Sequence, residues 1–414
     1  MKQILVIGGG FAGLWSAIAA VRRLQETGAR AEVTLLNRDA YHSIRVRNYE
    51  EDLHDTLVPL AEVLGPVGVK LAIGEVTAID TAGRRVDATV DGAPRQLHYD
   101  KLVIASGSEL SRPPIPGLAD HAFDIDTHAA AARLQAHVRA LGATPRRPGW
   151  LTAVVVGAGA TGVELACELP ARLRAAALDS GDPAAPGEVR VILADREPQA
   201  CAQLGGARQV IERACAELGV ELLSGVALQE TDADGVVFSD GTRIPAATLV
   251  WCAGMRASML NRQVSPVLDP AGRLFVDEYL RVKGLDDVFA AGDAAHMLID
   301  GVMPSVMSCQ HARPMGRFAG QNVVNDLVGA PLEPLSIDWY TNIIDLGPWG
   351  AVYSEGWDRT VRAEGAVAKQ TKSVINRQRI YPPRNGDRDA ILAASALNLQ
   401  RPPAIVQPGA GDTR

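Results

Sequence analysis

Two glycine-rich turns are the parts of the sequence with the most specific chemistry. Each has the pattern Gly-x-Gly-x-x-Gly directly after an apolar run, with Gly8, Gly10 and Gly13 in the first turn and Gly157, Gly159 and Gly162 in the second. Glycine allows a tight turn and a close approach of the backbone to a pyrophosphate, and the helix start that follows offers free N–H groups to its charge. Each turn therefore predicts a dinucleotide-binding site.

The residue that ends the next strand of such a unit contacts the adenosine ribose of the nucleotide. In the first unit this residue is Asn37, followed by Arg38, and its amide lacks the charge-assisted strength of a carboxylate. In the second unit it is Asp195, whose carboxylate accepts the ribose hydroxyls and repels a 2′-phosphate. The second site is therefore expected to prefer NADH over NADPH, although Arg196 beside it favours the opposite choice.

Two further acidic residues lie close to glycine turns. Asp293 follows Gly292 at the end of a third apolar strand, and Glu164 lies one turn into the helix after the second glycine turn. A carboxylate at the start of a helix can act simply by complementing the helix dipole, so that role stays open for Glu164.

Two nucleotide sites in one chain suggest that electrons pass from a nicotinamide to a second, tightly held cofactor, for which flavin is the natural choice.

The elements that must position these residues follow a repeated order. A strand, a glycine turn, a helix and a second strand occur twice, about 150 residues apart, and short strand-like runs follow at 69–104 and 220–250. The sequence therefore predicts an α/β fold with two Rossmann-like dinucleotide-binding domains, antiparallel β insertions and a small C-terminal cap. The expected boundaries are 1–115 with 271–330 for the first domain, 116–270 for the second, 331–400 for the cap and 401–414 for a flexible tail.

Composition excludes several other classes of protein. The net charge of −7 argues against nucleic acid as a partner, and 47% hydrophobic residues argue against disorder. Five scattered cysteines indicate neither a disulfide framework nor a metal site, and they favour a reducing compartment such as the cytoplasm. The charge-free stretch 4–21 resembles a signal peptide or a short membrane span, but its glycines favour a buried strand, turn and helix.

Five motifs in order resemble the pyridine nucleotide–disulfide oxidoreductases, and among them most closely the type II NADH dehydrogenases (NADH:quinone oxidoreductases). The resemblance covers residues 1–330 and rests on VIGGGFAGL (6–14), KLVIASGS (101–108), VVVGAGATGVELACEL (154–169), LVWCAGMRA (249–257) and VFAAGDAA (288–295). It implies a chain that binds FAD in the first domain and NADH in the second, and that passes electrons to a quinone.

The resemblance also implies roles for individual residues. Those expected to hold FAD are Gly8, Gly10, Phe11, Ala12, Gly13, Asn37, Arg38, Val76, Ala105, Ser106, Gly107, Gly292 and Asp293. Those expected to hold NADH are Gly157, Gly159, Thr161, Gly162, Asp195 and Gly254. Glu164 is expected close to the point where the nicotinamide stacks on the flavin.

The sequence departs from this family in two places. The family's quinone-site stretch Ala-Gln-x-Ala-x-Gln corresponds to residues 309–314, where Gln310 matches and the last Gln is Pro314. His311 within it is either a proton donor at the acceptor face or a histidine in the loop at a helix start. Arg45 and Arg47 replace neutral residues, as in flavoproteins of the apoptosis-inducing-factor type, and either stabilise an anionic reduced flavin or form surface ion pairs.

The expected function is transfer of a hydride from NADH to flavin and of electrons to an acceptor, most simply a quinone. Reduction of a ferredoxin-like protein and NADH sensing of the apoptosis-inducing-factor kind are the alternatives. Residues 369–388 carry six basic side chains and one acidic one, and they form either a contact with anionic lipid on the inner face of the membrane or a solvated face. The sequence leaves open whether the chain forms a homodimer.

Overall fold

The computed structural model describes residues 1–405 of the chain. The α-helices in this part are α1 Phe11–Thr27, α2 Leu60–Leu64, α3 Leu118–His121, α4 His128–Ala140, α5 Ala160–Asp179, α6 Arg208–Leu218, α7 Asn261–Val264, α8 Cys309–Val328, α9 Gly365–Val374 and α10 Arg388–Ala394. The β-strands are β1 Lys2–Ile7, β2 Ala31–Asn37, β3 Tyr41–Ser43, β4 Leu57–Pro59, β5 Lys70–Asp80, β6 Arg85–Val90, β7 Ala93–His98, β8 Lys101–Ile104, β9 Ser108–Leu110, β10 Ala122–Phe123, β11 Thr152–Val156, β12 Arg190–Asp195, β13 Val220–Ser224, β14 Leu228–Asp232, β15 Gly235–Phe238, β16 Arg243–Pro245, β17 Thr248–Trp251, β18 Met255–Ala257, β19 Leu274–Phe275, β20 Val288–Ala290, β21 Ala295–His296, β22 Thr341–Asp345, β23 Ala351–Glu355 and β24 Thr360–Glu364.

The first glycine turn leaves the middle of a seven-stranded sheet with the order β20-β8-β1-β2-β5-β6-β7. The strands from β20 to β5 are parallel to their neighbours. Strands covered on both faces carry apolar residues without alternation, which explains the run ILVI in β1 and LVI in β8. The turn therefore lies at the carboxyl edge of this sheet, between the ends of β2 and β8.

The antiparallel strands predicted over 69–104 are present, but they extend the sheet instead of forming a separate insertion. β5 pairs in parallel with β2 over residues 70–73 and antiparallel with β6 over residues 74–80. The single long strand β5 therefore carries the hairpin of β6 and β7 as a continuation of the parallel sheet.

The second glycine turn has the same position in a second sheet. Five parallel strands have the order β10-β17-β11-β12-β13, and the turn follows the central strand β11. A separate antiparallel sheet of β14, β15 and β16 lies between β13 and β17 in the chain, as predicted for residues 220–250. The predicted α/β fold with two Rossmann-like units is confirmed by these two sheets.

The C-terminal segment contains a three-stranded antiparallel sheet of β22, β23 and β24, followed by α9 and α10. Ile344 and Val352 from this sheet belong to the apolar core of the second sheet. Ile391 and Leu392 of α10 belong instead to the core of the first sheet. The cap thus joins the two cores. The predicted domain boundaries stay predictions, and of the predicted tail residues 406–414 lie outside the described residues.

Within residues 1–405, no helix is both long enough and apolar enough to cross a membrane. The charge-free stretch 4–21 forms β1, the first turn and the first part of α1, and most of its residues are buried in the first core. The strand, turn and helix predicted for this stretch are therefore confirmed.

Helices α1 and α8 pack with their backbones in close contact. An added Cβ would lie 2.3 Å from the carbonyl oxygen of Ala12 at Gly316, and 2.1 Å from that of Ser16 at Gly320. The Ser16 hydroxyl donates to the carbonyl of Gly316 at 3.0 Å, which fixes the same register. Glycine at these two places in α8 therefore sets the distance between the helices, and with it the position of the start of α8.

We expect Gly316→Ala and Gly320→Ala each to lower the free energy of unfolding by about 1–3 kcal/mol, because a methyl group would force α1 and α8 apart. Chemical denaturation followed by circular dichroism measures the change. Gly187→Ala is the matched control, since a Cβ at Gly187 meets no atom within 4 Å. Equal stability of all three variants would contradict the close packing of α1 on α8.

Candidate functional site

The first turn requires glycine at two positions and keeps space open at the third. Gly8 has φ +103°, and a Cβ there would lie 2.2 Å from the carbonyl oxygen of Ala105. A Cβ on Gly13 would lie 1.8 Å from the carbonyl oxygen of Gly8, whereas a Cβ on Gly10 meets no atom within 4 Å. Gly10 caps α1 without a side-chain hydrogen bond, so that the helix start is open to an anion.

The second turn repeats this geometry. Gly157 has φ +108°, and a Cβ on Gly162 would lie 1.9 Å from the carbonyl oxygen of Gly157. A Cβ on Gly159, the equivalent of Gly10, would have only the end of the Gln203 side chain near it, at 3.5 Å. Gly159 also caps its helix, α5, without a side-chain hydrogen bond. Both turns therefore have the form of a diphosphate cradle.

The two side chains predicted to contact a ribose also hold the turns themselves. The side-chain oxygen of Asn37 accepts a hydrogen bond from the N–H of Gly9 at 2.8 Å. In the second unit, Asp195 accepts one from the N–H of Ala158 at 2.6 Å. Arg38 and Arg196, which follow them, are exposed. The sequence gives no signal for this structural role, because a strand-end Asn or Asp is compatible with either contact.

Asp293 lies in a polar network with side chains from the segments around β3 and β9. Its carboxylate accepts a hydrogen bond from the Ser108 hydroxyl at 2.6 Å, and burial raises the pKa of Asp293. Arg45 donates to the Ser108 hydroxyl at 3.1 Å and pairs with Asp126. Gly292, at φ +70°, places this segment against α1, where its Cβ would lie 2.8 Å from that of Ala12.

The structure distinguishes the two arginines that replace neutral residues. Arg47 is 2% exposed and forms two hydrogen bonds with Glu50, at 2.8 and 3.0 Å, and one with the Tyr381 hydroxyl at 2.6 Å. It is therefore part of a buried ion pair and not of a surface one. Arg45 is the arginine that contacts the Asp293 network, through Ser108.

The other residues predicted for the first cofactor surround the same sheet edge. Ala105 follows β8 and donates its N–H to the carbonyl of Ile7 at 2.9 Å. The hydroxyl of Ser106 is buried and has no hydrogen-bond partner among the described residues. Val76 is half-buried on β5. An unpartnered buried hydroxyl next to the first glycine turn is the kind of group that a bound cofactor would satisfy.

Glu164 forms a buried ion pair that the sequence did not reveal. Its carboxylate lies 2.5 Å from the Lys372 ammonium and accepts a hydrogen bond from the N–H of Asp345 at 3.2 Å. Burial raises the pKa of Glu164. Burial alone would lower the pKa of Lys372, but the Glu164 carboxylate outweighs this effect and the pKa is raised. Glu164 therefore does more than complement the dipole of α5.

The network continues from Glu164 to Tyr49, in the segment between β3 and β4. Asp345 accepts hydrogen bonds from the Tyr49 hydroxyl at 3.1 Å and from Lys369 at 2.5 Å. A cavity of about 760 Å³ opens beside these groups and reaches Lys372. Hydrogen bonds and ion pairs thus connect three parts of the chain: Tyr49, Glu164 and the cap residues Asp345, Lys369 and Lys372. The sequence shows Lys369 and Lys372 only as members of a basic stretch.

Most basic side chains of the stretch 369–388 have partners within the chain. Its carboxylate partners are Asp345 for Lys369, Glu164 for Lys372, Glu50 for Arg377 and Asp55 for Arg384. The two other arginines donate to backbone carbonyls, Arg379 to that of Arg401 and Arg388 to that of Pro66. Four of the six basic side chains thus have a carboxylate partner, with Glu50 shared between Arg377 and Arg47, and contact of this stretch with anionic lipid stays a prediction.

Gln310 and Glu164 both reach the same strand of the cap. The Gln310 amide donates to the carbonyl of Thr341 at 2.9 Å and accepts from its N–H at 3.2 Å. Thr341 and Asp345 are the two ends of β22, about 13 Å apart at the usual rise of a strand. β22 therefore links the start of α8, with its acceptor-site sequence, to the residue predicted to lie near the nicotinamide.

The surroundings of His311 disfavour its charged form, and its predicted role as a proton donor stays a prediction. It is fully buried in the first turn of α8, and its Nδ1 accepts a hydrogen bond from the N–H of Val306 at 2.9 Å. Burial lowers its pKa to about 4. The ring lies near Tyr340 and Trp357, which stack on each other with centroids 4.5 Å apart. His311 is therefore a buried, neutral side chain beside an aromatic pair, of which Tyr340 is buried and Trp357 is exposed.

The family model for pyridine nucleotide-disulphide oxidoreductases matches residues 2–316. An NADH dehydrogenase-like protein of Mycobacterium tuberculosis is 51% identical over 407 residues, which are 97% of this chain and 100% of that protein. A type II NADH:quinone oxidoreductase of the same organism is 31% identical over 79% of this chain and 73% of its own length. NDH2 of Plasmodium falciparum, solved in complex with NADH, has a TM-score of 0.79 at 14% identity and covers 95% of this chain and 97% of its own, which shows a shared fold.

We expect Lys372→Met to lower the free energy of unfolding by about 3–5 kcal/mol, because Glu164 would keep a buried charge without a partner. The double variant with Glu164→Gln should recover most of this loss. Denaturation midpoints of the two single variants and the double variant measure the coupling. Lys70→Met is the control. Lys70 pairs with Glu32 but is largely exposed, so this pair should contribute about 0–1 kcal/mol to the free energy of unfolding. A loss as small as that of Lys70→Met would contradict the account.

We expect stability to fall as the pH drops from about 6.5 towards 4, in part because of His311. Its folded pKa of about 4 lies below its ordinary value of 6.5, so the unfolded chain takes up the proton first. His311→Phe should therefore flatten the loss of stability between pH 7 and pH 5, measured by denaturation midpoints. Replacing the exposed His54 by Gln serves as the control. An unchanged pH dependence in His311→Phe would show that His311 ionises freely in the fold.

Proposed function

The chain belongs to the pyridine nucleotide-disulphide oxidoreductase family, and we propose that this NADH-dependent flavin oxidoreductase of the type II NADH dehydrogenase kind passes its electrons to a quinone. The observation that carries the proposal is the link through β22, which holds Glu164 at one end and Gln310 at the other. The type II NADH:quinone oxidoreductases among its relatives support the choice of acceptor.

The residues present fit FAD at the first turn. The space beside Gly10, the uncapped start of α1 and the unpartnered Ser106 hydroxyl together suit a diphosphate and a polar ring system. In the proposal the diphosphate of FAD is held by Gly8, Gly10, Phe11, Ala12 and Gly13. Asp293 accepts a hydrogen bond from a hydroxyl of the ribityl chain of FAD. When bound, FAD accepts a hydride from NADH and releases the electrons to the acceptor.

The chain's own part in the reaction is to bind and orient. The second turn and Asp195 hold NADH in the proposal, and the ion pair with Lys372 fixes the carboxylate of Glu164 beside it. Gln310 uses one of its two amide hydrogens on the carbonyl of Thr341 and keeps the other for the carbonyl oxygen of a quinone. A group held by two hydrogen bonds to β22 loses little freedom when it binds an acceptor.

A cytoplasmic location and a homodimer stay predictions. So do the alternative acceptors, since reduction of a ferredoxin-like protein needs no residue that the proposed reaction lacks. The acceptor is therefore the part of the proposal that an experiment has to decide.

Gly10→Val and Gly159→Val should separate the two nucleotide sites. At both positions the surrounding space admits a side chain, so the fold should survive, but the side chain fills the place of a diphosphate. We expect the Gly10 variant to be colourless and the Gly159 variant to be yellow but not bleached by NADH under anaerobic conditions. Visible absorbance before and after NADH is the measurement. A yellow Gly10 variant that NADH still bleaches would contradict the assignment of the first turn.

Wild-type protein should oxidise NADH rapidly with ubiquinone or menaquinone analogues and slowly with ferredoxins. Gln310→Leu keeps the size of the side chain, and we expect it to lower kcat/KM for the quinone by about five- to tenfold, since one hydrogen bond is worth roughly 1–1.5 kcal/mol. Bleaching by NADH should be unchanged in the same variant. Rapid turnover with ferredoxin and none with quinones would overturn the proposed acceptor.

A further inference from the structure

Two arginines of α8 stack on one tryptophan of α1. The guanidinium carbon of Arg317 lies 4.6 Å from the ring centroid of Trp15, and that of Arg313 lies 5.5 Å from it. Trp15 is 1% exposed and Arg317 is 5% exposed. Arg313 is half-buried, so two positive charges are held side by side against the same ring, one of them inside the protein.

These charges have no carboxylate partner within residues 1–405. Arg317 donates only to the backbone carbonyl of Asn398, at 3.2 Å. The Nε groups of Arg313 and Arg317 and the Nε1 group of Trp15 are buried and without acceptors in this part of the chain. Burial, together with the positive charges of Arg313 and Arg22, lowers the pKa of Arg317 to about 10. The unsatisfied groups are thus all donors, in a positive field.

Three other arginines that stack on tryptophan or are buried have a counter-ion. Arg213 lies over Trp349 at 5.5 Å and pairs with Glu364 at 2.7 Å. Arg146 lies over Trp150 and pairs with Asp182. The buried Arg47 pairs with Glu50. The cluster of Trp15, Arg313 and Arg317 differs from all three in that described residues supply no negative charge.

A buried guanidinium keeps its proton and has to be compensated by an acceptor. Its planar fork matches the oxygens of a phosphate, and two neighbouring forks match a doubly charged one. The cluster also lies away from the first glycine turn, since Trp15 is five residues beyond Gly10 and therefore about 7.5 Å along α1. Of the two arginines, Arg317 lies nearer to the Trp15 ring. Its substitution therefore best distinguishes this cluster from the glycine turn.

We propose that Trp15, Arg313 and Arg317 form a binding site for a phosphate-bearing anion, distinct from both dinucleotide turns. The exposed Asn398, whose carbonyl is bound by Arg317, marks the side from which the anion enters. Inorganic phosphate and the headgroup of an anionic phospholipid share this chemistry, and the experiment distinguishes them.

The test uses the full FAD-loaded chain and titrates it calorimetrically with inorganic phosphate in a chloride buffer. We expect saturable binding in the wild type and at least a tenfold loss of affinity in Arg317→Gln. Arg213→Gln is the matched control, a tryptophan-stacked arginine with a counter-ion, and it should bind phosphate as the wild type does. Phosphate should also raise the melting temperature of the wild type and of Arg213→Gln, but not that of Arg317→Gln.

Two further measurements decide which phosphate-bearing molecule binds and whether the site is separate from that of the flavin. Sedimentation with vesicles of phosphatidylcholine alone, or with added phosphatidylglycerol, measures binding to lipid. If Arg317→Gln abolishes binding to the anionic vesicles, the ligand is a lipid headgroup. If it does not, the ligand is free phosphate. The flavin content of Arg317→Gln should equal that of the wild type. If Arg317→Gln does not fold, Arg313→Gln takes its place.

Three outcomes would overturn the proposal: no phosphate binding by the wild type, equal binding by the wild type and Arg317→Gln, or a loss of flavin in parallel with the loss of phosphate binding. The last would assign both arginines to the diphosphate of FAD.

Discussion

The structure depends on the close approach of backbone to backbone at two glycine turns. At Gly13 and Gly162 a single added carbon would lie within 2 Å of a carbonyl oxygen, so no other residue permits these helices to start where they do. Because α1 and α5 start there, their free N–H groups lie at the carboxyl edges of two parallel sheets. The positions of the two nucleotides in the proposed function follow from this constraint.

A second interaction sets how the cap meets the two sheets. The pair of Glu164 and Lys372 is buried, and so is Asp345, which also binds Tyr49 and Lys369. Charges of this kind are costly to bury and stabilise the fold only when every partner is present. The network therefore makes the position of β22 specific, and β22 in turn holds Gln310 at the start of α8.

Much of the fold was predictable because its determinants are local. Apolar runs that end in Gly-x-Gly-x-x-Gly predict β1, β11 and the helices after them, and their bounds agree with the structure within a few residues. Contacts between distant segments were not predictable in the same way. Lys372 lies 208 residues from Glu164, and nothing in a basic stretch shows which of its lysines is buried. The low pKa of His311 likewise results from tertiary burial, which a single sequence does not encode in any local pattern.

The central claim is that one chain holds a resident flavin at its first turn and exchanges NADH at its second. Anaerobic titration of the purified, yellow wild-type protein with NADH tests it most directly, with the visible flavin absorbance as the signal. The account predicts complete bleaching at one NADH per flavin, followed by return of the colour when a quinone is added. A protein that carries no flavin, or whose flavin NADH does not reduce, would contradict it.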